Sequence, residues 1–493
     1  MRQYLSRGSN YGKLVLLTGI LAGLPLLVLP FYPSEIRFAS AFVIPMIFSL
    51  VLGMAICVKT YQGEENATEW RTPWQRASLP VLFGWCYSFV IGAVPFVIAG
   101  KLDLFHALFE SVSGWTTTGL SVVDDVASLP HIFLFHRSFM QYCGGLGFVL
   151  MMVMLVHGKQ SVNMYNAEGH LDRLLPNLRQ TARIIFALYS GLLVAGALLY
   201  ALFGMSVFDA VCYAMSSIST AGFATQAGGI GMYGSLPIEI VTIGLMLIGA
   251  SNFTVLLLLM MGKVRQALRV TEVKFMFGIL AVCALLTTVL LIVKMDMGFG
   301  ESLRSALFGV VAAFSTTGYA ITNYAEWTPA ALGLLILLMM IGGSAGSTAG
   351  GIKLTRAYFV MRITRENIRR RLSSAYKVAV PSYETVRGKV HIDEALTSET
   401  FSFMACFLGV LMAGTLLLAL AADCSLFDAM FEFASVLSTS GIASGLVHSG
   451  TNAPTLLVEM AGMVLGRLEV LIVFVGLASG IHALRMKLPR KTS

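Results

Sequence analysis

Apolar residues fall along this chain in long blocks. Blocks of about 20 apolar residues, the length of a helix that crosses a bilayer, recur from residue 14 to residue 482 with short polar junctions between them. Two spans are predicted at 14–31 and 39–58, followed by a charged loop with Glu64, Glu65, Glu69, Arg71 and Arg76. A unit then repeats four times: a long apolar helix, a short one, a turn, and a second long helix. The first helices are predicted at 78–99, 183–204, 273–294 and 400–421, and the short ones at 103–116, 206–219, 301–315 and 425–438. The return helices are predicted at 132–157, 236–262, 330–356 and 454–483. The chain therefore divides into an N-terminal pair of spans (1–76) and four units (77–160, 161–264, 265–389 and 390–493).

A helix of about 14 residues is about 21 Å long, against roughly 30 Å of hydrocarbon. The short segments cannot cross. They enter the membrane and turn back, or they lie flat on its outer surface. Their ends favour re-entry. Each closes on a hydroxyl residue, a Thr, one of Thr, Ala or Ser, and a Gly in matched order: Thr116-Thr117-Thr118-Gly119, Ser219-Thr220-Ala221-Gly222, Ser315-Thr316-Thr317-Gly318 and Ser438-Thr439-Ser440-Gly441. An Ala stands twelve residues before each Gly, at Ala107, Ala210, Ala306 and Ala429. A fifth match, Ser347-Thr348-Ala349-Gly350, has Leu338 at that place and no short helix before it. Spacing and context identify the motif better than its letters.

Composition and charge narrow the class. The chain has 493 residues, 56% hydrophobic and 12% charged, against roughly 25% charged in soluble domains. The net charge of +8 would suit nucleic acid, but its placement does not. Basic clusters (Arg2, Arg7, Lys13; Lys59, Arg71, Arg76; Lys159, Arg173, Arg179, Arg183; Lys263 to Lys274; Lys353 to Lys389; Arg485 to Lys491) occupy every second junction between spans. That is the positive-inside pattern, so these loops are cytoplasmic and nucleic acid is not a partner. Both ends of each unit are then inside, and each short helix enters from outside. The exterior linkers are acidic, with Asp103, Asp124, Asp125, Asp296, Glu301, Glu326 and Asp423. The first apolar run reads as a retained span rather than a removed signal peptide. Seven cysteines without a CxxC pair read as buried thiols. Eight histidines show no ligand spacing, and neither a Ser-His-Asp set nor a dinucleotide fingerprint is present, so no enzyme and no cofactor are expected.

Four glycine turns on one axis form an ion filter. Glycine permits positive φ and close approach between strands, and carbonyls from four sides replace a cation's hydration shell. A monovalent cation is expected at the carbonyls of Thr117, Thr118, Thr220, Ala221, Thr316, Thr317, Thr439 and Ser440, with Leu120, Phe223, Tyr319 and Ile442 wedged into the wall. Short-helix C-termini aimed at the midplane favour a cation there.

The third return helix contains Gly342, Gly343, Ser344, Ala345, Gly346, Ser347, Thr348, Ala349, Gly350, Gly351 and Lys353. Five glycines, each costing about 1 kcal/mol relative to Ala, predict an unwound tract beside a cavity. Small-residue helix packing is the alternative, and a phosphate loop lacks the Gly-x4-Gly-Lys order. Arg467, about halfway along the fourth return helix, faces the pore or joins a structural ion pair; Glu469, two residues on, is poorly placed for that. Asn252 and Gln141 bond across helices or line the cavity. Glu110 and Glu432 brace the filter or draw cations to the outer mouth. The methionines of the return helices (Met151, Met152, Met154, Met339, Met340) read as core filling.

Four helix–pore loop–helix units, each with one filter Gly, resemble the Trk/Ktr/HKT superfamily of cation transporters, and the two extra N-terminal spans resemble its bacterial TrkH branch. His136-Arg137-Ser138 leading into Gln141 and Gly144-Gly145-Leu146-Gly147, and Gly204 to Ala210, also match. The resemblance implies an all-α polytopic membrane protein with four pseudo-symmetric helix–pore loop–helix units around a central pore, plus two N-terminal transmembrane helices. It implies potassium uptake across the bacterial cytoplasmic membrane, a gate at Gly342 to Gly351 with Lys353 at its cytoplasmic edge, and Arg467 facing the pore as a barrier or a gate contact. It further implies a homodimer in a lipid membrane and a separate cytoplasmic nucleotide-binding ring docked near 159–183 and 353–389. Gly119 in place of Ser favours potassium. Secondary transport coupled to protons or sodium, or a less selective potassium/sodium pathway, stays open.

Overall fold

The computed structural model describes residues 9–60, 73–147, 178–372, 381–386 and 388–487. Helices α1 (Asn10–Gly23, continued by a 3-10 turn over Leu24–Val28) and α2 (Ala39–Thr60) form the N-terminal pair. They pack closely because small residues face each other: a Cβ on Gly19 would lie 2.8 Å from Ser49 Cβ, and one on Gly53 2.7 Å from Leu16. A bond between the Thr18 and Ser88 hydroxyls (3.1 Å) docks this pair on the first unit.

Each unit has the predicted order. Unit one is α3 (Pro73–Ile98), α4 (Leu104–Trp115) and α5 (His131–Leu146). Unit two is α6 (Leu178–Leu202), α7 (Val207–Ile218), α8 (Leu236–Gly249) and α9 (Phe253–Met260). A short α10 (Val264–Arg269) leads to unit three: α11 (Thr271–Met295), α12 (Phe299–Phe314), α13 (Pro329–Ile341) and α14 (Leu354–Leu372). An antiparallel hairpin, β1 (Ser382–Thr385) and β2 (Gly388–His391), precedes unit four. That unit comprises α15 (Glu394–Ala422), α16 (Leu426–Leu437), α17 (Ala453–Arg467) and α18 (Val470–Lys487). The short helices start where the sequence caps them. Asp103, Ser206 and Ser425 each accept a backbone N–H of the first turn, and Ser206 and Ser425 are in turn met by Asp209 and Asp428 three residues on.

Among the described residues six helices are long and apolar enough to cross a membrane, or eight when two sharply bent pairs count as spans. Those pairs correct the expectation of continuous return helices at 236–262 and 454–483. α8 and α9 meet at 114°, and α17 and α18 at 103°. The first break is made by Asn252, whose side chain caps α9 by accepting Thr254 N–H. The second is made at Glu469, which has φ +57° and an ion pair with Arg356. The third return helix opens at the glycine tract as expected. The first stops at Gly147 (φ +88°); its predicted continuation to residue 157, with Met151, Met152 and Met154, lies outside the described residues. So do the loop acids Glu64, Glu65 and Glu69, with Arg71, and the cluster at Lys159 and Arg173. The hairpin is a small departure from an all-helical chain.

The units close into a ring. Each return helix packs on the short helix of the next unit: α5 on α7, α8 on α12, α13 on α16, and α17 back on α4. The C-terminal halves of the short helices are therefore central and buried, while the long helices expose apolar side chains such as Leu198, Leu285, Val293 and Leu420 outward. That distribution is inverted for water and correct for lipid. The chain is a multi-pass membrane protein.

Candidate functional site

The four motif turns stand at the ring's centre with the same local geometry. In each, the N–H of the residue before Gly donates to a carbonyl five residues back: Thr118 to Ser113 (3.0 Å), Ala221 to Ser216 (3.0 Å), Thr317 to Ala312 (3.0 Å) and Ser440 to Ser435 (2.8 Å). The glycines have φ between +74° and +89°. The Thr two residues earlier is also left-handed, with φ +57° at Thr117, +51° at Thr220, +55° at Thr316 and +51° at Thr439. Two left-handed residues on either side of an ordinary one keep successive carbonyls on one side of the strand, as a nest does for amides. Sequence patterning pointed to the glycines alone. Leu120, Phe223, Tyr319 and Ile442 are buried, as are Ala107, Ala210, Ala306 and Ala429.

The strands meet around a closed circle. A Cβ placed on Gly119 would fall on the carbonyl oxygen of Ala221 in the next strand. One on Gly222 would fall on Thr317 O, one on Gly318 on Ser440 O, and one on Gly441 on Thr118 O. Glycine is thus required four times over, by φ and by the neighbour's carbonyl. The ring is only pseudo-fourfold. Thr116 and Thr118 share a hydroxyl bond (2.8 Å), as do Ser315 and Thr317 (2.7 Å). The second strand lacks that hydroxyl at Ala221. There Gln141 takes over, donating to Ala221 O (2.8 Å) and accepting from Phe223 N–H (3.3 Å). Gln141 therefore bonds across helices to a strand.

Outside the ring, Arg137 is a brace that patterning did not single out by role. It is 1% exposed and donates to Glu110 (2.5 Å), Ser121 Oγ (2.9 Å) and Ala224 O (3.1 Å), with its guanidinium 4.1 Å from the Phe223 ring centre. It joins the first and second strands. Glu110 and Glu432 are both fully buried and bond to the chain just after their glycines.

The glycine tract lies against the ring's inner end. Gly350 N–H donates to Thr316 Oγ1 (2.8 Å), and a Cβ on Gly350 would fall on Ser438 O and Thr439 Oγ1. Thr348 Oγ1 contacts Thr220 Oγ1 (3.0 Å), Gly249 O (3.0 Å) and Ile218 O (3.2 Å). The tract thus touches the second, third and fourth strands. Gly342, Gly346, Gly351 and Lys353 have positive φ, and Lys353 donates to Ala349 O. The break in the second return helix holds the tract from the side: Ser344 N–H donates to Ala250 O (2.9 Å), Thr348 N–H to Gly249 O (3.1 Å), and Phe253 N–H to Gly346 O (3.2 Å). Gly343 sits against Ala349 and Ala250, and Ser347 Oγ donates to Ser344 O (2.6 Å). A cavity of about 230 Å³ opens beneath, lined by Asn252, Ala345, Gly346, Lys353 and Arg467.

Arg467 is the last residue of α17, not midway along a continuous helix. Its Nη1 donates to Thr348 O (2.8 Å), and its Nη2 to Gly144 O and to Gly145 O (3.4 Å). It links the tract to the end of the first return helix. Glu469 pairs with Arg356 (2.9 Å).

Residues 77–481 match the family described as TrkH, cation transport protein. The chain is 30% identical over 462 residues to the Trk system potassium uptake protein TrkG of Escherichia coli, covering 90% of this chain and 92% of that one. It is 31% identical over 418 residues to the Trk system potassium uptake protein TrkI of Halomonas elongata, covering 82% and 83%. The crystal structure of the potassium transporter TrkH from Vibrio parahaemolyticus matches with a TM-score of 0.82 and 25% identity, over 99% of both chains. With its four-unit ring and the match over most of its length, the chain belongs to the TrkH family of cation transport proteins.

Proposed function

We propose that this chain takes up potassium through a channel-like pore whose filter is the four single-glycine strands and whose gate is the tract at residues 342–353. The observation that carries the proposal is the closed circle in which each filter glycine abuts the carbonyl before the next. Carbonyls gathered on one axis, without a carboxylate in the ring, suit a monovalent cation better than a divalent one. The tract is seated on Thr316, Thr220 and Ser438 and blocks the inner end of that axis in this conformation. Arg467 latches it through Thr348 O, and its charge adds a barrier to cations.

Rubidium flux into liposomes holding the purified chain tests this. Gly119→Ser and Gly318→Ser should each cut flux or potassium selectivity by about tenfold or more, equivalent to about 1.4 kcal/mol; unaltered flux and selectivity in both would sink the filter assignment. Arg467→Ala should raise flux, since latch and barrier go together. Unfolded protein instead would mark Arg467 as purely structural.

Broken return helices also occur in coupled transporters, which keeps a second reading alive: potassium moving with protons or sodium. Uptake that follows the membrane potential alone, at any proton or sodium gradient, excludes it. We further propose that two such chains pair in the membrane and that a separate nucleotide-binding ring docks on the cytoplasmic face. The exposed Arg365, Arg369 and Arg371 on α14 support that docking; of the expected surface at 159–183 and 353–389, residues 159–177, 373–380 and 387 lie outside the described residues.

A further inference from the structure

Units one and four carry an acid nine residues before the filter glycine, Glu110 and Glu432, each fully buried. Each accepts the backbone N–H three residues after that glycine: Val122 to Glu110 at 3.2 Å and Ser444 to Glu432 at 2.6 Å. The two units differ eighteen residues after the glycine. Unit one has Arg137 there, paired with Glu110 at 2.5 Å. Unit four has Glu459, 0% exposed and within electrostatic reach of Glu432. A glutamate thus replaces the arginine, and two fully buried carboxyls stand on the packed helices α16 and α17.

The surroundings are polar and unsatisfied. Glu432 Oε1, both Glu459 oxygens, Ser435 Oγ, Ser444 Oγ and Thr455 Oγ1 are buried without hydrogen-bond partners. Ser435 lies one helical turn after Glu432 and Thr455 one turn before Glu459, on the same faces as the acids. The packed elements supply no counter-charge among the described residues. On α16 there is Asp428, another acid, and α13 has no titratable group. On α4, Glu110 is held by Arg137, and His106 lies with Asp103 at the outer end. On α15 are Glu394, Glu399 and Cys406, with Asp423 as its C-cap. Arg467, at the far end of α17, is held by loop carbonyls. Residues 470–480 of α18 carry no charge.

Two bare carboxylates here would each carry a large desolvation penalty, and like charges within electrostatic reach do not readily both ionise. We propose that Glu432 and Glu459 form a proton-sharing carboxyl pair that anchors the outer end of the fourth filter strand through Ser444. The proton does in unit four what the Arg137 guanidinium does in unit one. Its loss at alkaline pH leaves two like charges behind the strand and loosens it.

Infrared spectroscopy of the full chain in lipid, titrated from neutral to alkaline pH, reads the proton directly and independently of conduction. A protonated-carboxyl band should be present at neutral pH, vanish on titration, and be lost in Glu459→Gln and Glu432→Gln. Potassium-over-sodium selectivity should fall at alkaline pH in the native chain and stay flat in Glu459→Gln. A band untouched by both substitutions overturns the proposal. So does the absence of any such band in the native chain, which decides the matter even if the variants fail to fold. If the band is absent and Glu459→Gln lowers the rubidium retained per chain, the site holds a cation and the proton assignment is wrong.

Discussion

Threonine crowds its own backbone when φ is positive, because its β-branch meets the neighbouring carbonyl. Four such residues, Thr117, Thr220, Thr316 and Thr439, sit in that region at equivalent places, and such strain costs of order 1–3 kcal/mol each. It persists because the ring over-determines it: pore-helix carbonyls and the neighbouring strand hold every strand, and the tract also touches the second, third and fourth. Side chains that supply this hold should therefore be costly to lose. Glu110→Gln breaks a buried pair and should destabilise the fold by about 3–5 kcal/mol, seen as a lower unfolding temperature in detergent. Gln141→Leu should cost less, about 1–3 kcal/mol for the amide and carbonyl it leaves unmet. It should lower potassium-over-sodium selectivity more than Gln141→Glu, which keeps the acceptor for Phe223. The filter glycines were legible in the sequence. Arg137 was legible only as a residue of a matching stretch, and Gln141 only as a polar group that bonds across helices or lines the cavity, because nothing in a run of letters shows which strand a side chain meets 80 or more residues away.

At the scale of elements, the return helices carry the irregular backbone that meets the central strands. Broken ends appear in units two, three and four, and the tract of unit three nests against the break of unit two. Small residues make these breaks tight. A Cβ on Gly466 would fall on Leu437 O, one on Gly144 on Trp115 O, and one on Gly249 would lie 2.6 Å from Ile218 O. In three units a return-helix glycine thus presses on the last carbonyl of its own pore helix. Gly350→Ala should unseat the tract, because its Cβ has no room beside Ser438 O. Flux through the isolated chain should then rise by about tenfold, a shift of about 1.4 kcal/mol toward the open tract; flux at the native level would show that the tract does not obstruct the pore. Only the third break was evident from composition, through five glycines. The break at Asn252 follows from a local cap that an apolar run hides, and the one at Glu469 from an ion pair whose partner, Arg356, is placed by the fold.

At the scale of the whole molecule, ring closure is the central fact, and the seam between units one and four completes it. On the outer face Asp124 accepts from Ser449, by its backbone N–H (3.1 Å) and by its hydroxyl. These bonds, the side-chain one first, hold the Asp124 carboxyl below its ordinary range. A lowered carboxyl value means the bond's contribution is present above the ordinary value, near 4, and is lost as pH falls below it. Hydrogen exchange at residues 444–451 should therefore quicken modestly in acid, and Asp124→Asn should remove that pH dependence. What the sequence determined by itself was set by local physics: apolar run lengths, charge placement, cap residues and repeated turns. Those yielded the spans, an expected sidedness, the four units and the four glycines. Tertiary structure alone decided which strand abuts which, where the tract is seated, that Arg467 holds Thr348, and that Glu432 and Glu459 are both buried. These are contacts between distant parts of the chain, and they exist only once the four units have closed around one axis.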